Sequence, residues 1–236
     1  QNEHFDAAIL KRKASNNVQA LSEMDLARFL QGLKAQKNPI YYPLALTQFC
    51  LGLRISEACG LRWEDLDFEN RQVKIEQTIS WNDRTWAATI KRYPKNGAVR
   101  FLALPALLVD ALRQWKMKAD LKVPLVFHNE GRLLNRKSIA TAYNRTLKQL
   151  GITYVSGTHM MRRTSATLAN EATGDFYAVS RVLDHSSPEI TKRYVKDLTS
   201  QKRKVAEALN GVLQPYLSGM KNMGSSHLGS NTLRIS

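Results

Sequence analysis

Only two cysteines, Cys50 and Cys59, occur in the 236 residues. That is too few for a disulfide framework. On a single helix their separation of nine residues (59 − 50), at about 100° per residue, would set them on roughly opposite faces. The expectation is a pair of reduced thiols in the core. The sequence also lacks any Cys/His cluster with zinc spacing, and lacks the glycine-rich phosphate loops G-x-x-x-x-G-K-S/T and G-x-G-x-x-G. Chemistry without metal, cofactor or nucleotide is the resulting expectation. No apolar run approaches the roughly 18–20 residues of a spanning helix, and no signal peptide opens the chain. A cytoplasmic protein with no membrane partner is therefore expected. Internal repeats are missing as well.

Acidic residues are scarce. Twenty Asp and Glu stand against 35 Lys and Arg, for a net charge of +15 and a pI near 10.0. Such an imbalance suits a polyanionic partner, double-stranded DNA above all. Hydrophobic residues make up 43% of the chain, ample for one large domain with appendages.

Along the chain, residues 1–20 are polar and carry Lys11-Arg12-Lys13 before Ser15-Asn16-Asn17. They read as a linker from a missing N-terminal core-binding domain. Ser22-Glu23-Met24-Asp25 resembles a capping box, and apolar Leu26, Phe29, Leu30 and Leu33 follow at helical spacing. A second helix is expected from Pro43 to Leu61, strongly apolar and therefore central. Between 72 and 104 the period changes to two. Strands are expected near 73–76, 85–90 and 99–102, with turns at Asn82-Asp83 and Pro94-Lys95-Asn96-Gly97. Helical periodicity returns at 106–119, 135–150, 158–172 and 175–183. Ser187-Pro188 has the form of another helix start. Residues 200–217 are basic and amphipathic, and the Gly, Ser and Asn content after Gly219 suggests a flexible tail. The expected fold class is α+β, mainly α-helical, with a small antiparallel β-sheet.

Several side chains stand out against this background. Arg54 interrupts an apolar helical segment, and a guanidinium there needs a partner. Glu57, three residues on, could hold it. The pair is either a structural ion pair or an anion-directed arginine fixed by its carboxylate. His159 and Arg162 open a helix and share a face near its positive end, a geometry open to phosphate or to solvent alone. Leu183-Asp184-His185 forms a loop, and Tyr194 lies between Lys192-Arg193 and Lys196. Each segment alone is weak. Their joint order is not.

The succession Arg54…Lys95…His159-x-x-Arg162…His185…Tyr194 resembles the catalytic domain of the tyrosine recombinases, the phage-integrase family. The signatures are Gly52-Leu53-Arg54-Ile55-Ser56-Glu57, His159-x-x-Arg162-Arg163-Thr164, and the spacing from His185 to Tyr194. The resemblance spans about 21–198 and implies that catalytic domain, with 199–236 as a C-terminal helix and flexible tail. Met160 stands where the family often has Asp, and Asp184 where it usually has Gly. The resemblance implies a site-specific recombinase, or integrase, that cuts and rejoins DNA through a 3′-phosphotyrosyl intermediate. Tyr194 would be the nucleophile, Arg54 and Arg162 the phosphate clamp, Lys95 the general acid, and His159 and His185 proton or phosphate contacts. Glu57 would support Arg54. Lys91 is the alternative to Lys95.

For DNA backbone binding the candidates are Lys91, Arg92, Arg100, Arg163, Lys192 and Arg193. Asn135, Arg136, Lys137 and Asn144 are candidates for readout. The family's habits imply a homotetramer on DNA, a tail after residue 200 exchanged between protomers, and accessory DNA-bending or directionality factors. They also imply a source in a phage, another mobile element or a bacterial chromosome. A type IB topoisomerase and a non-catalytic DNA-binding protein of the same fold are the alternatives.

Overall fold

The computed structural model describes residues 20–82, 84, 85, 87–92, 99–183 and 197–223. The first helix, α1 (Glu23–Lys34), starts where the sequence predicts. Ser22 is extended, and its hydroxyl accepts the Asp25 N–H at 3.1 Å. This satisfies one of the amides that the first helical turn leaves without a partner. Leu26, Phe29, Leu30 and Leu33 form its buried stripe.

The central apolar segment is not one helix. It breaks into α2 (Tyr41–Leu51) and α3 (Ile55–Cys59). Gly52 ends α2 in the left-handed region at φ 59°, and Arg54 is extended at φ −65°, ψ 149°. Glycine carries no Cβ penalty there, so it stops the helix cheaply. Arg54 is thus the residue that begins α3 and does not lie inside a helix, contrary to the expectation from periodicity. Every residue of α2 from Pro43 to Leu51 is buried, as its all-round apolar sequence demands. Cys50 and Cys59 are both buried and free, on separate helices, and burial raises both thiol pKa values far above the usual range.

After a 3-10 turn at Trp63–Asp65 come β1 (Leu66–Asp67), β2 (Gln72–Ile75), β3 (Gln77–Trp81), β4 (Ala88–Arg92) and β5 (Arg100–Ala103). The strands do not form one meander. The antiparallel order β1-β2-β5 makes one sheet, and β3-β4 a separate hairpin. In the first, Val73 faces Leu102 and Ile75 faces Arg100. The chain continues through α4 (Ala106–Lys116), the short pair β6 (His128–Asn129) and β7 (Arg132–Leu133), α5 (Arg136–Gln149), α6 (His159–Thr173) and α7 (Phe176–Val182). It resumes in α8 (Asp197–Met223).

Helix α2 is the hub, packed by α1, α3, α4, α5, α6 and α8. Phe29 of α1 meets Tyr143 of α5 edge-on at 5.4 Å and 86°, the geometry that aromatic quadrupoles favour. Helix α8 begins before residue 199 and passes Gly219 as helix. Its Val205, Leu209, Val212 and Leu213 are buried in the same core as α2. The amphipathic stripe is therefore satisfied within its own chain. Among the described residues no helix is long and apolar enough to cross a membrane.

Candidate active site

The break between α2 and α3 creates the site. Glu57 occupies the third position of α3, and its side chain is 1% exposed. Its Oε2 accepts the Arg54 backbone N–H at 2.8 Å, while Oε1 accepts Arg54 Nη1 at 3.1 Å. Oε2 also accepts Arg100 Nη2 at 2.8 Å. Arg162 Nη1 stands 3.8 Å from the same oxygen. One buried carboxylate thus meets guanidinium groups from the α3 N-terminus, from β5 and from α6. A buried Glu without cations would be costly, and three clustered cations without a carboxylate would repel one another.

Arg162 is held from two further directions. Nη1 donates to the Gly52 carbonyl at 2.8 Å, and Nη2 to the Leu183 carbonyl. Its guanidinium therefore ties the α2–α3 break to the end of α7. A Cβ on Gly52 would overlap the Leu183 side chain, so the glycine is needed for this approach as well as for its φ. His159 sits three residues earlier on α6 and is more open to solvent. Partial burial and the guanidiniums of Arg136, Arg163, Arg162 and Arg54 lower its pKa from the ordinary 6.5. A neutral imidazole, able to accept a proton, is favoured there at neutral pH.

The start of α6 is fixed from below. Buried Gln48 donates to the Thr158 carbonyl at 3.4 Å and accepts the Tyr143 hydroxyl at 3.0 Å. Asn144 Oδ1 accepts the Gly157 N–H at 2.8 Å. Asn144 thus has a structural task, and so does Asn135, whose side chain caps α5 through the N–H groups of Lys137 and Ser138. Both oxygens are engaged by backbone N–H groups.

The other predicted cations divide. Arg136 lies close enough to bear on His159, as does Arg163. Arg163 Nε is buried with no hydrogen-bond partner among the described residues. Lys91 and Arg92 are exposed on β4, and Lys137 is exposed in the first turn of α5. Arg100 differs from all of these, since its side chain is 14% exposed and turned inward to Glu57. Lys95, His185, Lys192, Arg193 and Tyr194 lie outside the described residues, as does the helix start at Ser187-Pro188. One neighbour was not anticipated. Lys202 of α8 is half-buried, and burial together with Arg100 lowers its pKa. Among the described residues no group of His, Cys, Asp or Glu is arranged to hold a metal ion.

A second set of charges is purely local. Arg62 Nη2 meets Asp65 at 2.7 Å and Glu76 at 2.8 Å, with Glu64 at 2.6 Å from Nη1. These bonds, Asp65 foremost, raise the Arg62 pKa further. They pin the 3-10 turn to the strand region and present no free cation to a ligand.

Comparison with known proteins agrees with this architecture. Residues 19–201 match the sequence model of the phage integrase family. A tyrosine recombinase XerC-like protein of Caldanaerobacter subterraneus subsp. tengcongensis is 27% identical over 223 residues, covering 85% of this chain and 56% of that protein. Tyrosine recombinase XerC of Mycobacterium tuberculosis is 28% identical over 159 residues, 67% of this chain and 50% of its own. The chain spans about half the length of these curated relatives. Among solved structures, the Tn1549 transposon integrase in complex with a circular intermediate DNA superposes with a TM-score of 0.64 at 20% identity, covering 80% of this chain and 62% of that one. The XerH site-specific recombinase bound to difH gives 0.56 at 23%, covering 79% and 49%. These two likenesses concern the fold. With its family match over most of its length, this chain belongs to the phage integrase family and carries a tyrosine-recombinase catalytic domain.

Proposed function

We propose that this domain cuts and rejoins duplex DNA at specific sites by way of a 3′-phosphotyrosyl intermediate. The observation that carries this reading is the arginine cluster around Glu57, with His159 beside it. A phosphodiester oxygen gains charge as the nucleophile adds, and forked guanidiniums suit that charge better than ammonium groups do. Tyr194 attacks the scissile phosphorus, a phenolate O–P bond forms and the P–O5′ bond breaks. His159 takes the phenol proton, and Lys95 gives a proton to the departing 5′-oxygen. Arg54 and Arg162 clamp the non-bridging oxygens, and His185 donates to one of them. The phosphotyrosyl link keeps the bond energy for rejoining, so no nucleotide is required.

The partner in this reading is double-stranded DNA, engaged through Lys91, Arg92, Arg136, Lys137, Arg163, Lys192 and Arg193. The names of the similar Tn1549 integrase and XerH structures, both bound to DNA, favour that choice. Recombination between two sites calls for a homotetramer, with accessory bending or directionality factors where direction is controlled. It would act in the cytoplasm, on the nucleoid or on a mobile element. The buried stripe of α8 is used within the chain, so any tail exchange between protomers falls to residues beyond it.

A nicked suicide duplex carrying the recombination site tests the reading. The unsubstituted chain should form an SDS-resistant adduct, and Tyr194→Phe should bind the duplex without forming one. An adduct retained by Tyr194→Phe would remove the nucleophile assignment. A bridging 5′-phosphorothiolate should restore cleavage to Lys95→Ala, and failure to do so would move the acid to Lys91.

A further inference from the structure

Among the described candidate DNA-binding cations, Arg100 is the one whose guanidinium turns to the Glu57 carboxylate at hydrogen-bond distance. It opens β5, opposite Ile75 of β2, and shares the inner face of that strand with buried Leu102. Its neighbours Val99 and Phe101 are exposed. Alternation along the strand therefore aims Arg100 at the interior. There its Nη2 meets Glu57 Oε2 at 2.8 Å, the oxygen that also accepts the Arg54 backbone N–H. The buried carboxylate favours the inward position of the guanidinium.

The consequence lies in the geometry of Glu57. A carboxylate that answered only to Arg54 could rotate and draw that guanidinium away from a phosphate. Held by Arg100 from the sheet, it presents a fixed oxygen to the Arg54 backbone and leaves Oε1 for the Arg54 side chain. The tie also spans two parts of the chain 43 residues apart. It joins the turn that orients Arg54 to the strand that immediately follows residues 93–98, the segment containing Lys95.

We propose that Arg100 is a positioning residue for the phosphate clamp, acting through Glu57 and tying the first clamp arginine to β5, and that it does not contact DNA phosphate. The inference rests on the recombinase reading for its kinetic part only. A cation that touches a phosphate releases a counterion, and its loss lowers the slope of log K against log[salt] by about 1. A cation that acts through Glu57 leaves that slope unchanged and slows chemistry instead.

The test uses the 236-residue chain with the nicked suicide duplex. Arg100→Gln should keep the salt slope and the affinity, while adduct formation at saturating DNA falls by up to roughly 100-fold, the scale of a clamp misplaced by about 1 Å. Arg100→Lys keeps the charge and serves if the glutamine variant does not fold. It should retain the slope and lose part of the rate, because an ammonium cannot reproduce the guanidinium geometry. Adding Glu57→Gln to either variant should cost less than the product of the separate effects. A lowered slope with an unchanged rate at saturation would overturn the proposal, and so would full multiplicativity with Glu57→Gln. If the unsubstituted chain formed no adduct, the recombinase reading would fail instead. The same double-substitution cycle, read by thermal unfolding, would still decide whether Arg100 acts through Glu57.

Discussion

Glu57→Gln is the most informative single perturbation of this fold. The substitution keeps the shape of the side chain and removes its charge. In the native structure that charge faces Arg54, Arg100 and Arg162, whose side chains are 31%, 14% and 8% exposed. Water can therefore compensate Arg54 in part and the other two very little. Removing one partner of a buried ion pair typically costs about 3–5 kcal/mol, because the remaining charge stays desolvated. Here two of the guanidiniums are nearly as buried as the carboxylate, so the upper half of that range is expected. A domain of this size shifts by roughly 2–4 °C per kcal/mol, which gives a fall in Tm on the order of 10 °C. Thermal unfolding followed by circular dichroism reads this directly. The expected loss is also a large part of the roughly 5–15 kcal/mol that holds a typical domain together. A Tm within about 2 °C of the parent would show that the three arginines do not depend on Glu57. It would remove the electrostatic account of the site.

Gly52→Ala should destabilise the domain by about 2–4 kcal/mol, since it combines a left-handed φ with overlap against Leu183. A denaturant midpoint equal to the parent's would contradict that geometry. His159 should give adduct formation an acid limb below about pH 6.5. Its pKa is lowered in the fold, so its stabilising contribution is whole above the unfolded value and is lost as pH falls through the folded one. A pH–rate profile left unaltered by His159→Gln would rule out its proton-accepting role. Arg62→Ala should cost about 3–5 kcal/mol by leaving Asp65 buried without its cation. The adduct rate per folded molecule should not change, and a selective loss of rate would place Arg62 in the site.

Local order was largely legible in the sequence. The Ser22 cap, the apolar stripe of α1, the helices after residue 105 and the change of period between 72 and 104 each express nearest-neighbour chemistry. Of the candidate site, Arg54, Glu57, His159 and Arg162 are brought together by the fold, and short motifs had singled them out because they preserve residue type and spacing. The central helix was misjudged, since periodicity averages over a window and a single left-handed glycine at 52 interrupts it without altering the apolar pattern. The sheet was misjudged for a different reason. Strand composition does not state which strand pairs with which, and β5 joined β2 in preference to the β3–β4 hairpin. Arg100 could have been assigned inward from its place two residues before Leu102, had the register of β5 been known. The backbone bonds of Asn135 and Asn144 were not foreseen, because an amide side chain carries no sign of the backbone group it will meet.

By itself, then, the sequence determined most of the helices, the basic character and the short motifs that carry Arg54, Glu57, His159 and Arg162, all of which depend on residue identity and short spacing. Only the tertiary structure decided that Glu57 serves three arginines, that Arg162 stitches Gly52 to Leu183, and that α8 spends its apolar face within its own chain. Arg162 and Gly52 alone lie 110 positions apart, and α8 reaches α2 from farther still. Their partners are chosen by packing and by the need to neutralise charge away from water, and neither is written in the spacing of the residues.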